Sequence, residues 1–388
     1  NNLFVLNLNK ELGDAGAGQN ISLLEEVLTW LEPNAPVYGW EQGVSEDQFV
    51  ARVSKSGHPM IPCDWSYNHS LLSLLYEKGR EQVLPRIFDP RSIDFKKKKN
   101  FVSFFLSDGD NIQWMMQDFA SRYYDVPEAE DVKMTFGLPV ATLAMMAPVQ
   151  FNNLMGLQKQ NCSLMEMLGG GYYYVDTYSQ DNNRKTNLRV AAKRLAVSMR
   201  QYQIKLLGIM AMDVKSEAAK EAYQVYVDAN GQLEGIVVLQ YSPYAGGEGE
   251  VFWVTNKAGY DIPVITVKYS LWDRIHEREG SPDFIASKLK EEAQEESFSV
   301  VCVHAWSRFE GDTYGASAAK RCAERLDDRF EAINMKELVW RLRMSRRPEQ
   351  TLDYEEIDLL FQPLPSARFV RTEVSGVFSI FGESTDGN

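Results

Sequence analysis

Between residues 101 and 334 this chain repeats one pattern eight times: a short apolar or β-branched run, then a stretch with helical spacing. The runs lie at 101–106, 134–140, 172–175, 205–210, 236–240, 264–268, 299–304 and 332–334. Most are continuously apolar rather than alternating, as parallel strands are when helices cover both faces of a sheet. The intervening stretches carry one apolar face each. Leu188, Ala192, Leu195, Met199 and Tyr202 keep a three-to-four spacing, as one helix face requires. So do Phe284, Ile285, Leu289 and Ala293, and then Met335, Leu338, Val339 and Leu342. Eight such units over roughly 250 residues have the size and rhythm of a (β/α)8 barrel. The expected fold is α/β, a TIM-like (β/α)8 barrel at residues 96–345. Periodicity leaves an open doubly wound sheet as the alternative.

Residues 1–95 read as a smaller α/β domain. Strand-like runs fall at 3–8, 36–40 and 60–64, and Leu23, Leu24, Val27, Leu28 and Leu31 form one helix face. The chain opens almost directly on a strand-like run, which reads as a processed or trimmed start. Residues 346–388 form a carboxy-terminal extension without the helical pattern. A hairpin or ordered tail is expected at 367–381, with a frayed end beyond it.

Charge and motif content exclude several function classes. The net charge of −13, from 54 acidic and 41 basic residues, argues against a nucleic-acid partner or an anionic-membrane surface. The single basic run, Lys96 to Lys99, reads as a solvated linker. No apolar run approaches the roughly 20 residues that cross a bilayer. Cys63, Cys162, Cys302 and Cys322 form no C-x-x-C pair and read as buried thiols. His58, His69, His276 and His304 lack the spacing of a local zinc site. No G-x-S-x-G elbow supports an esterase. Gly169, Gly170 and Gly171 precede an expected strand, so they lack the strand–loop–helix order of a phosphate cradle. No cofactor and no metal site is assigned, although D-x-D at Asp108 and Asp110 can offer oxygen ligands to a divalent cation. Nothing in the sequence sets the oligomeric state.

In a parallel β/α barrel the strand ends on one face converge, and the loops there build the site. After the first expected strand come Ser107, Asp108, Gly109, Asp110 and Asn111, then Gln113 and Trp114. Asp176 follows the third strand, Asp213 the fourth, and Gln240 and Tyr241 the fifth. Lys268, Tyr269 and Trp272 end the sixth, and His304 and Trp306 the seventh. Aromatic faces stack on the C–H faces of sugars, while carboxylates and amides bond their hydroxyls. Paired carboxylates can cleave a glycosidic bond. Each residue also has a plainer role. Asp110 or Asn111 can cap the helix that follows, and Ser216 is a better cap than Asp213 for the next one. His304, Trp272 and Trp306 can be core groups.

The octapeptide S-D-G-D-N-I-Q-W at 107–114 matches a stretch of one known family, the GxGYxYP proteins, which the chain resembles over roughly residues 36–345. That family's naming motif is present in altered form at 169–176. Gly169, Gly171, Tyr172 and Tyr174 match it, and Val175 stands where the family has Pro. Further similar stretches lie at 137–148, 263–272 and 304–307. Asp64-Trp65-Ser66-Tyr67-Asn68-His69-Ser70 resembles the D-W-x-x-N-x-S of the family's amino-terminal domain. The family is common in gut Bacteroidetes, and its glycoside hydrolase activity is itself inferred from fold and context. The resemblance implies carbohydrate metabolism and export to the periplasm, cell surface or medium. It also implies that the chain is shorter at its start than a full-length relative.

The resulting expectation is a glycoside hydrolase acting on a glycan at the barrel rim. Asp108 and Asp110 are the central acids, with Asp176 and Asp213 as candidate partners. Trp114, Tyr172, Tyr174, Trp272 and Trp306 would shape the sugar subsites. Asn111, Gln113 and His304 would bond hydroxyls, and Asp64 would join from the smaller domain. The alternatives are a non-catalytic glycan-binding protein on the same scaffold, or a metal-dependent transferase or phosphoesterase using Asp108 and Asp110.

Overall fold

The computed structural model describes residues 17–40, 45–63, 69–75, 83–86, 88–107, 111–180 and 182–352. The expected strand at 3–8, the hairpin at 367–381, and Asp64, Asp108 and Asp110 lie outside the described residues.

The amino-terminal unit contains helices α1 (Ala17–Trp30), α2 (Glu46–Lys55) and α3 (His69–Leu72) and a parallel pair, β1 (Val37–Tyr38) and β2 (Met60–Ile61). Leu24 and Leu28 of α1 and Phe49, Val50 and Val53 of α2 are buried.

The second sheet has ten strands. They are β3 (Asn100–Leu106), β4 (Thr135–Leu138), β5 (Ser163–Met167), β6 (Leu206–Ala211), β7 (Gly235–Gln240), β8 (Val251–Thr255), β9 (Asp261–Thr266), β10 (Tyr269–Leu271), β11 (Ser297–Val303) and β12 (Phe330–Ala332). Their helices are α4 (Ile112–Met115), α5 (Pro127–Asp131), α6 (Val140–Met146), α7 (Pro148–Leu157), α8 (Arg184–Gln201), α9 (Glu217–Ala229), α10 (Pro282–Glu291), α11 (Gly315–Glu324) and α12 (Met335–Arg346). The order is β10-β11-β3-β4-β5-β6-β7-β9-β8, with β12 attached to β3. All pairs are parallel except β8 with β9.

The sheet curls. Val267 N–H donates to Val238 O of β7 at 3.2 Å, and the next residue, Lys268, donates to Val300 O of β11 at 2.9 Å. The stretch 261–271 thus pairs with β7 through its first half and with β11 through its second. The result is a mixed α/β fold around a curled, half-barrel sheet. The eighth apolar run departs from the (β/α)8 expectation. In that ring the last strand would separate the seventh from the first. Here β11 pairs directly with β3 along its whole length, from Ser297–Asn100 to Val303–Leu106. β12 takes the opposite edge of β3 at Asn100–Val102, the edge that β4 takes at Phe105 and Leu106.

The third strand also differs from expectation. It is β5, over 163–167, and not the run at 172–175, which makes only isolated bridges from Tyr172 to Met60 and from Tyr174 to Met210. Ser163 and Glu166 break the apolar signature of β5 although both are buried. The three glycines therefore follow a strand. The next long helix, α8, begins only at Arg184, so the order of a phosphate cradle is still not met.

The inner face of the sheet carries Phe101, Phe105, Met165, Met167, Met210 and Val237. These pack with Leu338, Val339 and Leu342 of α12 and with Met60 of β2. The outer face, with Val102, Phe104, Leu164, Ile209 and Val301, meets the surrounding helices. The expected helix face is buried throughout α12 and for the most part in α8 and α10, where Phe284 is half-buried and Tyr202 and Ala293 fall just past the helix ends. Ser216 caps α9, accepting from Ala219 N–H at 3.1 Å. The four cysteines are buried thiols. Lys97 and Lys98 of the basic run pair with Glu331 and Glu296.

Candidate active site

The run from Gly169 to Asp176 ties the amino-terminal unit to the carboxyl ends of β5 and β6, and each residue has a reason. A Cβ on Gly169 would run into Oε1 of buried Glu166, and the Thr142 hydroxyl donates to the Gly169 carbonyl. Gly171 holds φ +107° and lies against Pro59, so a side chain there would be strained and would clash. Tyr172 exchanges two backbone hydrogen bonds with Met60, at 2.6 and 3.0 Å. Its hydroxyl donates to Glu46 Oε1 at 2.9 Å. Tyr174 N–H donates to Ser54 Oγ at 3.1 Å. Val175 N–H donates to Met210 O at 2.9 Å, a bond that proline cannot make.

From this run a row of aromatic rings crosses the strand ends. Ring centroids are 6.3 Å apart for Trp40–Tyr172, 5.8 Å for Tyr172–Tyr174, 5.8 Å for Tyr174–Tyr241 and 6.0 Å for Tyr241–Tyr244. Tyr244–Trp272 follows at 5.0 Å, and Trp272 stacks on His304 at 4.4 Å with ring planes 7° apart. These are the separations at which aromatic pairs attract. Tyr172, Tyr174 and Tyr244 form the buried floor. Trp40, Tyr241, Trp272 and His304 are half-buried and offer ring surface to solvent. Burial pushes the Tyr174 hydroxyl well above its ordinary range, so it stays a neutral donor.

Two acids expected at the rim meet directly. Asp176 accepts from Met212 N–H at 3.0 Å with one oxygen and from Asp213 N–H at 2.9 Å with the other. Asp213 itself is exposed, and one of its oxygens turns back to Lys215 N–H at 2.9 Å. Beyond β11, His304 Nδ1 lies 3.1 Å from Ser307 Oγ, and Ser307 Oγ lies 3.2 Å from Asp273 Oδ1.

Other expected residues are placed differently. Asn111 caps α4, accepting from Trp114 N–H at 3.4 Å, and Gln113 is buried. Trp114 lies in the core with Phe119 and Tyr123 on its edges, whereas Trp306 is 47% exposed and covers it at 4.8 Å. Asp64, Asp108 and Asp110 lie outside the described residues, but their neighbours are placed. Ser107 N–H donates to Val303 O at 3.1 Å, beside His304, and Ile112 N–H donates to Pro62 O at 3.4 Å. Among the described residues no group of three or more His, Cys, Asp or Glu is placed to hold a metal ion.

Sequence reasoning missed Trp40, Glu46, Tyr244, Asp273 and Ser307. Asp273 and Ser307 carried a signal, each lying next to a residue singled out at a strand end. Tyr244 sits in a glycine-rich turn, and Trp40 and Glu46 reach the rim only through the packing of the amino-terminal unit.

Residues 98–343 match the domain described as the GxGYxYP putative glycoside hydrolase C-terminal domain. The chain belongs to the GxGYxYP family. Residues 1–74 match the GxGYxYP third domain, so both halves of the naming motif's environment, the α2–β2 unit and the curled sheet, fall inside family domains. The fold is similar to the crystal structure of a putative hydrolase from Bacteroides thetaiotaomicron VPI-5482, with 19% identity and a TM-score of 0.71. The likeness covers 86% of this chain and 61% of that one. No curated protein matches the chain. Among the described residues no helix is long and apolar enough to cross a membrane.

Proposed function

We propose that this GxGYxYP protein is a glycoside hydrolase that binds a glycan across the carboxyl-terminal rim of its curled sheet, as a β/α-barrel enzyme does. The observation that carries this reading is the aromatic row from Trp40 to His304. Flat apolar rings at a rim, edged by carboxylates, suit a ligand with C–H faces and many hydroxyls. Family membership supports the same reading. Asp108 and Asp110 are the central acids, and exposed Asp213 is the available partner. Asp176, with both oxygens bonded to backbone N–H groups, holds the site's frame. Trp272, Tyr241 and exposed Trp306 supply stacking surface, while Trp114 supports Trp306 from below. Export, implied by the family resemblance, would place the enzyme where glycans are met.

The test is turnover by purified protein on a broad glycan panel. Wild type is expected to release sugar, and Asp108→Asn and Asp110→Asn to lose at least about 10²-fold in rate while still binding. Clear binding without turnover by wild type would make the protein a glycan-binding module instead. Activity abolished by excess chelator would favour the metal-dependent reading.

A further inference from the structure

Arg308 follows β11 at the rim, two residues past exposed Trp306, and is itself half-buried. Its guanidinium carbon lies 3.9 Å from the centroid of the Tyr314 ring, at stacking distance. Nη2 donates to the Tyr123 hydroxyl at 2.9 Å, and Nη1 to Ser307 O at 3.3 Å. The backbone is fixed as well. Arg308 N–H donates to Asp273 Oδ2 at 2.9 Å, and Phe309 N–H donates to Thr313 O at 2.9 Å, closing the turn that returns Tyr314 to the guanidinium.

None of the guanidinium's partners carries a charge. Arginines nearby differ. Arg122, over the same Tyr314 ring at 5.5 Å, pairs with Asp118 at 2.8 Å, and Arg321 of α11 pairs with Asp283 at 2.8 Å. Among the described residues no carboxylate lies at ion-pair distance from the Arg308 guanidinium, although the chain has 54 acidic and 41 basic residues. Its position is thus set while its charge is not neutralised. A guanidinium stacked on a ring keeps its N–H edge for partners in its own plane, which suits the paired oxygens of a carboxylate or sulfate. Three contacts link it to Trp306: Trp306–Trp114 at 4.8 Å, Trp114–Tyr123 at 4.8 Å and Tyr123–Arg308 at 5.9 Å. One oligosaccharide can therefore reach both.

We propose that Arg308 sets the specificity of the rim by binding an anionic substituent, a carboxylate or sulfate, on a glycan whose adjoining sugar stacks on Trp306. The substrate class is then an acidic glycan rather than a neutral one. This rests on the glycan reading of the rim and narrows it. The contact is a pair of charge-assisted hydrogen bonds, so it weakens as salt rises.

The test is calorimetric titration of the full chain at low salt with matched glycan pairs. Oligouronates are set beside their carboxyl-reduced forms, and sulfated oligosaccharides beside their desulfated forms; the pair that shows a difference identifies the anion. Wild type should bind one acidic form at least about tenfold more tightly than its neutral partner. Arg308→Gln should bind both members of that pair equally, and Arg308→Lys, which keeps the charge without the fork, should fall between. Trp306→Ala should weaken both members alike. A merely structural role for Arg308 would lower both affinities together and keep their ratio. Equal binding of acidic and neutral forms by wild type, or an unchanged ratio in Arg308→Gln, overturns the proposal and leaves the glycan reading standing. No binding of any glycan by wild type overturns both. If Arg308→Gln fails to fold, the wild-type ratio and its loss in high salt decide the matter.

Discussion

Oδ2 of Asp176 accepts the backbone N–H of Asp213 at 2.9 Å, so one rim acid holds the position of the other. With Met212 N–H on Oδ1, the carboxylate staples the segment after Tyr174 to the end of β6. Asp176→Ala leaves two backbone donors without their partner. It should lower stability by about 2–3 kcal/mol, measured by urea unfolding. A variant as stable as wild type would leave Asp176 available for chemistry.

Glu166 is wholly buried beneath the glycine run, and burial pushes its carboxyl up to about 8. One oxygen accepts from Ala141 N–H at 2.9 Å, with weaker support from Val140 and Gly169. In the unfolded chain it titrates at about 4.3. Below that value both states hold the proton and there is no penalty. As pH rises toward 8 only the unfolded state releases it, so folding loses stability across that window. Glu166→Gln should unfold like wild type at pH 4 and be more stable at pH 8, by on the order of a few kcal/mol. An equal difference at both pH values would disprove this.

Gly169→Ala and Gly171→Ala should each destabilise by about 1–3 kcal/mol. The first pushes against Glu166, and the second combines a clash at Pro59 with a left-handed backbone. Both glycines position Tyr172 and Tyr174, so glycan affinity should fall even in folded variants. Calorimetric titration with a bound glycan reads the second effect independently of the first.

Trp114 and Trp306 touch, yet the two should respond in opposite ways. Trp114→Ala empties a core site and should cost about 3–5 kcal/mol in stability. Trp306→Ala, at an exposed position, should stay within about 0.5 kcal/mol of wild type while weakening glycan binding about tenfold. Unchanged affinity would remove Trp306 from the sugar subsites.

The strand–helix rhythm was legible because most strands are buried on both faces and so read as apolar runs. It failed at β5, where Glu166 hides a strand whose charge is masked only by tertiary burial. It failed again at β12, because a run of three residues does not say which edge of β3 it will join. The rim was legible where a strand end is followed closely by an acid or a ring, as at Asp213, Trp272 and His304, whereas Asp176 was picked out after a run that is not a strand. Trp40, Glu46 and Tyr244 were not, since their places depend on how the amino-terminal unit and the turn after β7 pack. The plainer alternatives for Asn111 and Asp213 were both relevant: Asn111 caps α4, and Ser216 rather than Asp213 caps α9.

During synthesis β3 leaves the ribosome long before the strand that flanks its full length. Asn100 waits for Ser297, 197 positions downstream. At about 5–20 residues per second that delay is about 10–40 s. β4, by contrast, arrives within seconds on the other edge. The aromatic row up to Tyr244 is therefore made before Trp272 and His304 complete it, and before Ser107 has Val303 to hold it. A chain stopped short of residue 303 would carry most of the aromatic row without the edge that turns it into a rim, and its bare β3 edge would be open to pairing with other chains.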